Sequence, residues 1–203
     1  MEKRELRCAG LTELRIDTST EGVPPVIEGH AAIFDSLSQD LGFLMPFKER
    51  IKKGAFADSI KRDDIRALFN HDPNYVLGRN RAKTLTLKET AKGLLVRITP
   101  PNTQWARDLA ESISRGDVTQ MSFGFLVEKE SWTQAAGEDI RTLEQVKLFD
   151  VSPVTFPAYL DTDVGVRSAL DSYKRHKETE AGEAEKREAE FTLLKSKFAK
   201  LEE

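Results

Sequence analysis

The stretch Thr119-Gln120-Met121-Ser122-Phe123-Gly124-Phe125 is apolar except for polar residues at its start and a hydroxyl and a glycine at its centre. Read as a strand it alternates faces, so Met121, Phe123 and Phe125 share one side while Gln120, Ser122 and Gly124 share the other. An exposed serine beside a residue without a side chain, with room for a substrate backbone, suits a nucleophile. A serine hydroxyl is weak until a base takes its proton, and histidine is the commonest general base. The sequence has only three histidines. His176 lies in a heavily charged stretch and reads as solvated surface. His30 falls mid-strand between Gly29 and Ala31. His71 ends the apolar run Ile65–Phe69 and precedes Asp72-Pro73, which makes it the best placed to face a cleft.

Several elements must hold these groups. Residues 11–17 and 26–34 flank a Thr-Ser-Thr-Glu-Gly turn and predict an opening hairpin or meander. Asp35 to Glu49 reads as a loop closing over the body, and Lys53–Ile60 as a short helix after Gly54. Val76–Arg79, Leu85–Glu89 and Leu94–Ile98 predict strands, the last two joined at Lys92-Gly93. Trp105, Leu109, Ser112 and Ile113 fall at helical spacing, with Thr103 as N-cap and Gly116 past the end. That helix leads into the Ser122 strand. The strand continues to a hairpin tip near Ala136–Asp139 and returns over Arg141–Ser152. The return is apolar at 143, 146, 148 and 151, a pattern with one slip that suggests a bulge. Pro153 and Pro157 make the next piece an edge or an extended loop.

From Ser168 the composition changes. Residues 171–203 hold eight Lys or Arg against nine Asp or Glu, with few apolar residues before Phe191, Leu194, Phe198 and Leu201, spaced 3, 4 and 3. This predicts a solvated helical tail with linker character near Thr179–Ala184 and an amphipathic end. The expected division is a domain over 1–167 and a charged, helical or flexible tail over 168–203. A formal net charge of −3 gives no general argument for nucleic-acid binding. Cys8 is the only cysteine, so no intramolecular disulfide or cysteine metal cluster is possible, and the scattered histidines have no metal-ligand spacing. No signal-peptide pattern and no membrane-length apolar run is present, so the reading is cytosolic, without membrane contact or cofactor.

Four ordered blocks carry a resemblance. They are Leu68-Phe69-Asn70-His71-Asp72-Pro73, Val76-Leu77-Gly78-Arg79, Gln120-Met121-Ser122-Phe123-Gly124-Phe125, and Leu148-Phe149-Asp150-Val151-Ser152-Pro153-Val154-Thr155-Phe156-Pro157-Ala158. With Glu28–Asp35 and Lys53–Phe56, they resemble the prohead maturation proteases of tailed bacteriophages, relatives in fold of the herpesvirus assemblins. The resemblance covers about residues 10 to 165. It implies a mainly β, closed or nearly closed barrel with a few helices. It also implies a serine endopeptidase with Ser122 as nucleophile and His71 as base. A third group should orient the imidazole. Asp150 stands at the matching place, with Asp72 and His30 as alternatives. Backbone amides near Phe123-Gly124 or in the Pro153–Pro157 loop are the expected oxyanion donors, and Arg79 is expected to be structural or substrate-facing. The implied substrates are the scaffold, or a scaffold-like arm of the major capsid protein, and the protease itself. The implied setting is the procapsid within the host cytoplasm, with a homodimer expected from the herpesvirus relatives.

Overall fold

The computed structural model describes residues 4–8, 14–17, 25–41, 46–156 and 163–199, the last as backbone with side chains over 169–192. The chain divides into two compact units, Met1–Val166 and Arg167–Glu203.

The first unit is built on one long hairpin. Strand β9 (Gln120–Ala135) and strand β10 (Glu138–Val154) pair antiparallel over most of their length. They join at Ala136 and Gly137, both at positive φ (53° and 81°), the two-residue turn that suits the twist of such a hairpin. Strand β1 (Glu5–Cys8) adds antiparallel to the free side of β9. The far side of β10 is shared by two short parallel partners, β4 (Lys48–Ile51) and β5 (Arg66–Phe69). Strand β6 (Asp72–Arg79) pairs back on β5. A second sheet has the order β2 (Arg15–Asp17), β3 (Val26–Ile33), β8 (Gly93–Ile98) and β7 (Leu85–Glu89). The opening hairpin and the 85–98 hairpin thus form as the alternation predicts.

The two sheets share one core. Ile27, Leu94, Val96 and Ile98 from the second sheet meet Met121, Phe123, Phe125, Val146 and Val151 from the first. Phe123 stacks on Phe125 at 4.9 Å between ring centroids and meets the edge of Phe56 at 5.4 Å. Each such buried ring contributes roughly 1.5–3 kcal/mol by leaving water. The expected closed barrel is not what the strands form. Among the described residues they make two separate sheets, and the overall class is mainly β with helices.

Helix α1 (Ala57–Arg62) starts a few residues later than expected. Helix α2 (Gln104–Ser114) follows Thr103, which sits at the N-cap without a side-chain cap bond, and ends before Gly116 at φ 82°. Two expectations change. The supposed loop over Asp35–Glu49 ends in strand β4, and β10 runs on through Pro153 to Val154, while Thr155 and Phe156 lie beyond the strand and Pro157 outside the described residues. Proline donates nothing to a ladder; here its carbonyl accepts from Asn70 N–H at 3.0 Å.

Helix α3 (Asp163–Ala199), which supplies most of the second unit, runs without a break through Thr179–Ala184, where linker character was expected. Glu, Lys, Arg and Ala are good helix formers, and pairs such as Lys177–Glu180 (3.1 Å) and Glu183–Arg187 (3.6 Å) add support across one turn. Of the expected apolar end, Leu194 and Phe198 have no described side chain and Leu201 lies outside the described residues; Phe191 is exposed. Among the described residues no helix is long and apolar enough to cross a membrane.

Candidate active site

Ser122 is placed by β9. Its neighbours Met121 and Phe123 point into the core, so the period-2 alternation sends Ser122 to the opposite face. Ser152 lies directly opposite Ser122 on β10, and Asp150 directly opposite Gly124, so all four residues share that face.

Asp150 reaches that face through a bulge. In a regular strand, residues two apart point the same way, yet Leu148 packs in the core and Asp150 does not. The register steps from Leu148↔Phe125 to Asp150↔Gly124, leaving Phe149 as the extra residue. One added residue inverts the alternation. The register of β10 also shifts between Leu143 and Val146, so the strand has irregularities at two places where the apolar pattern suggested one.

His71 comes from the turn between β5 and β6. Phe69 pairs with Asp72, leaving Asn70 and His71 as the two central residues, both at positive φ (53° and 58°). Asn and His are among the few side chains that tolerate this region. The turn is tied to the end of β10. Thr155 N–H donates to Asn70 Oδ1 at 2.9 Å, and His71 N–H to Ser152 Oγ at 3.3 Å.

These three elements bring the groups into line. His71 Nε2 lies 2.7 Å from Ser122 Oγ, and His71 Nδ1 lies 2.6 Å from Asp150 Oδ1. A carboxylate beside Nδ1 accepts from the Nδ1–H tautomer, and that tautomer leaves Nε2 able to accept from the hydroxyl. Ser152 Oγ also donates to Asp150 Oδ1, at 3.1 Å. The alternatives lie elsewhere. Asp72 Oδ1 accepts from Asn74 at 2.8 Å, and His30, on the other sheet, has Thr90 Oγ1 at 3.5 Å from its Nε2. Arg79 grips Asp64 through two bonds of 2.7 and 2.6 Å, a structural use. Its hydrogen bonding pulls the Asp64 carboxyl down to about 2.

The structure departs from the sequence reading in one important way. Ser122 was expected to be exposed, with open space over Gly124, but its relative exposure is 0% and that of Asp150 only 2%. Strand β1 lies over the site. Ser122 Oγ is 3.0 Å from the Arg7 carbonyl oxygen, and Arg4 pairs with Asp150 Oδ2. A Cβ built on Gly124 would overlap Asp150 Oδ2 and the Arg4 guanidinium. Gly124 therefore makes room for a carboxylate and its cation.

Beside the site lies a buried ion cluster. Arg7 bonds Glu49 at 2.7 Å and Glu5 at 2.6 Å, while Arg141 reaches Glu49 at 2.9 Å, Glu5 at 3.1 Å and Glu130 at 2.7 Å. Burial alone would push the Glu49 carboxyl up. The charges and hydrogen bonds of Arg7 and Arg141 outweigh that and hold it below the ordinary range. Arg4 and Ser152 are the groups of the site that sequence reasoning passed over. Ser152 stood in a recognised block, two residues after Asp150; Arg4 carried no signal, since its partner is 146 positions away.

The comparisons with known proteins bear on this arrangement. Residues 12–178 match the caudovirus prohead serine protease family. The prohead protease of Enterobacteria phage HK97 is 26% identical over 174 residues, covering 83% of this chain and 71% of that protein. Among solved structures, the bacteriophage T4 capsid assembly protease aligns with a TM-score of 0.47 and 16% identity, over 76% of this chain and 98% of that one. The family match spans most of the sequence and contains Ser122, His71 and Asp150, and on that match the chain belongs to the caudovirus prohead serine proteases.

Proposed function

We propose that this chain is a serine endopeptidase of procapsid maturation, with Ser122 as nucleophile, His71 as general base and Asp150 as the acid that orients it. The observation that carries the reading is the continuous line from Ser122 Oγ through the imidazole to Asp150 Oδ1, at 2.7 and 2.6 Å. Ser122 Oγ attacks a peptide carbonyl carbon while its proton passes to His71 Nε2. Collapse of the tetrahedral adduct expels the amine, which takes that proton, and leaves an acyl-enzyme. Water, deprotonated by the same nitrogen, then releases the acid and restores the serine. Asp150 holds the Nδ1–H tautomer and stabilises the imidazolium as it forms. Ser152, through its bond to the Asp150 oxygen that faces the ring, fixes the carboxylate.

The substrates in this reading are the scaffold, or the scaffold-like arm of the major capsid protein, and the protease itself. The reaction takes place inside the procapsid, in the host cytoplasm, with the protease as a homodimer. Residues 1–167 carry the chemistry and the charged tail over 168–203 serves incorporation or scaffold contact. The complete burial of Ser122 favours a second reading, a non-enzymatic scaffold or assembly module. Co-expression with the capsid protein separates the two. The expected result is cleaved products that disappear in Ser122→Ala and in His71→Ala. Unchanged processing by a folded Ser122→Ala protein overturns the catalytic reading.

A further inference from the structure

We propose that Asn70 and Thr155 form a clasp that positions the imidazole of His71, with Asn70 as a positioning residue for the base. The inference rests on the reading of His71 as general base.

His71 stands at the end of a short lever. Strand β5 pairs with β10 at Asp150↔Arg66 and Val151↔Ala67, and this register stops short of the turn. In a parallel ladder a residue gives its N–H to one residue of the neighbouring strand and takes, through its carbonyl, the N–H two positions further along. Asn70 N–H meets the Pro153 carbonyl at 3.0 Å, which is the first of these bonds. The second would join Thr155 N–H to the main-chain carbonyl of Asn70. Thr155 N–H instead meets the side-chain oxygen of Asn70, at 2.9 Å. Asn70 has already entered the turn at φ 53°, and its side-chain oxygen takes the place of the main-chain one. The same amide makes a second bond, from Nδ2 to Thr155 Oγ1 at 3.1 Å. Two bonds from one planar group to one residue fix the direction of the turn as well as its distance.

The next residue in the turn is the base. Its imidazole must meet Ser122 Oγ at 2.7 Å and Asp150 Oδ1 at 2.6 Å together. Asp150 belongs to β10, which leads directly into Thr155, so the clasp ties the base to the strand of its orienting acid. The other tie, from His71 N–H to Ser152 Oγ, is longer at 3.3 Å, and Ser152 also serves Asp150. Displacing a catalytic group by about an ångström costs about 10²-fold in rate. Asn70 and Thr155 are both exposed, so losing the clasp moves the base without opening the core.

The test uses the full chain, isotopically labelled at the histidine ring nitrogens, and a capsid-derived peptide as substrate. Glycine accepts positive φ freely, so Asn70→Gly removes the clasp and leaves the turn. Asn70→Asp keeps a side chain tolerant of this region and two oxygens, which can accept from the Thr155 N–H and hydroxyl. The hydrogen-bonded Nδ1–H proton of His71, identified by its absence from His71→Gln, should be sharp in the wild type and lost to exchange in Asn70→Gly. The thermal midpoint should stay close to wild type, and kcat should fall about 10–10²-fold with KM nearly unchanged. Asn70→Asp should restore the signal and most of the rate, which a merely structural role for the residue does not require. Thr155→Val removes the hydroxyl alone; it serves as the second variant if the glycine variant does not fold, with the same changes in smaller measure. A signal that persists in a folded Asn70→Gly protein, or a rate that does not fall from that of an active wild type, overturns the proposal. A signal lost in Asn70→Gly when the wild type itself cleaves nothing sustains the clasp and instead overturns the reading of Ser122 and His71 as a catalytic pair.

Discussion

Asp150 and Gly124 stand directly opposite each other across β9 and β10, and the carboxylate occupies the space a side chain at 124 would fill. Gly124→Ala therefore pushes Asp150 away from His71 without adding bulk to the core face of β9. The expected outcome is a fall in peptide cleavage of about 10²-fold, the usual result of misplacing a catalytic group by about an ångström. A calorimetric midpoint close to wild type should accompany it. A variant with full activity would mean that Asp150 need not hold its present place.

Asp150→Asn tests the orienting role itself. An amide presents either oxygen or NH2 to Nδ1, so the imidazole loses the fixed tautomer that leaves Nε2 free to accept. Cleavage should fall by about 10²–10⁴-fold, within the range of Ser-His-Asp systems on other folds. The comparison is kcat/KM for a capsid-derived peptide. Near-normal rates would remove Asp150 from the mechanism, and neither Asp72 nor His30, as now placed, could take over without moving.

Much of this site was legible because each member sits where local pattern is strong. Ser122 interrupts an apolar alternation, His71 ends one, and the three-residue steps in the apolar pattern of 143–151 marked β10 as irregular. The strands around it were less legible for a common physical reason. Glu5, Glu49 and Arg141 are buried charges, and a charged residue reads as surface unless its partner is known. Those partners are 42, 92 and 136 positions apart, so β4 looked like a loop and β1 carried no strand signal. The same blindness made Gly124 look like space for a substrate, because Arg4 gave no hint of reaching it. Sheet closure is also non-local: the alternation finds strands but not which edges remain apart.

The ion cluster predicts a particular acid response. Glu49 has its folded pKa held below the ordinary 4.5. Its contribution to stability is therefore complete above about 4.5 and is lost as pH falls through the lower folded value. Thermal midpoints should be flat in this respect from neutral pH to about 5 and decline below 4.5. Glu49→Gln leaves Arg7 and Arg141 short of a buried partner, which typically costs about 3–5 kcal/mol. It should also flatten the acid limb of the curve. An unchanged limb would show that the cluster does not govern acid unfolding.

The bulge supplies the sharpest structural test. Deleting Phe149 makes Leu148 and Asp150 neighbours opposite Phe125 and Gly124, which are already neighbours on β9, so both halves of the hairpin keep their register and faces. What is lost is the local bend and the added twist of the bulge. Phe149→Ala keeps the extra residue and removes only a half-buried ring, which contacts Arg4 and Lys147 at 5.9 and 5.6 Å. The deletion should keep the fold and lower cleavage by about 10²-fold, because losing the bend shifts Asp150 relative to His71 by about an ångström. The alanine variant should retain the fold by circular dichroism and stay within about tenfold of wild-type activity, since an exposed cation–ring contact is worth about 0.5–1 kcal/mol. Equal losses in both would mean that the ring, and not the added backbone residue, positions Asp150.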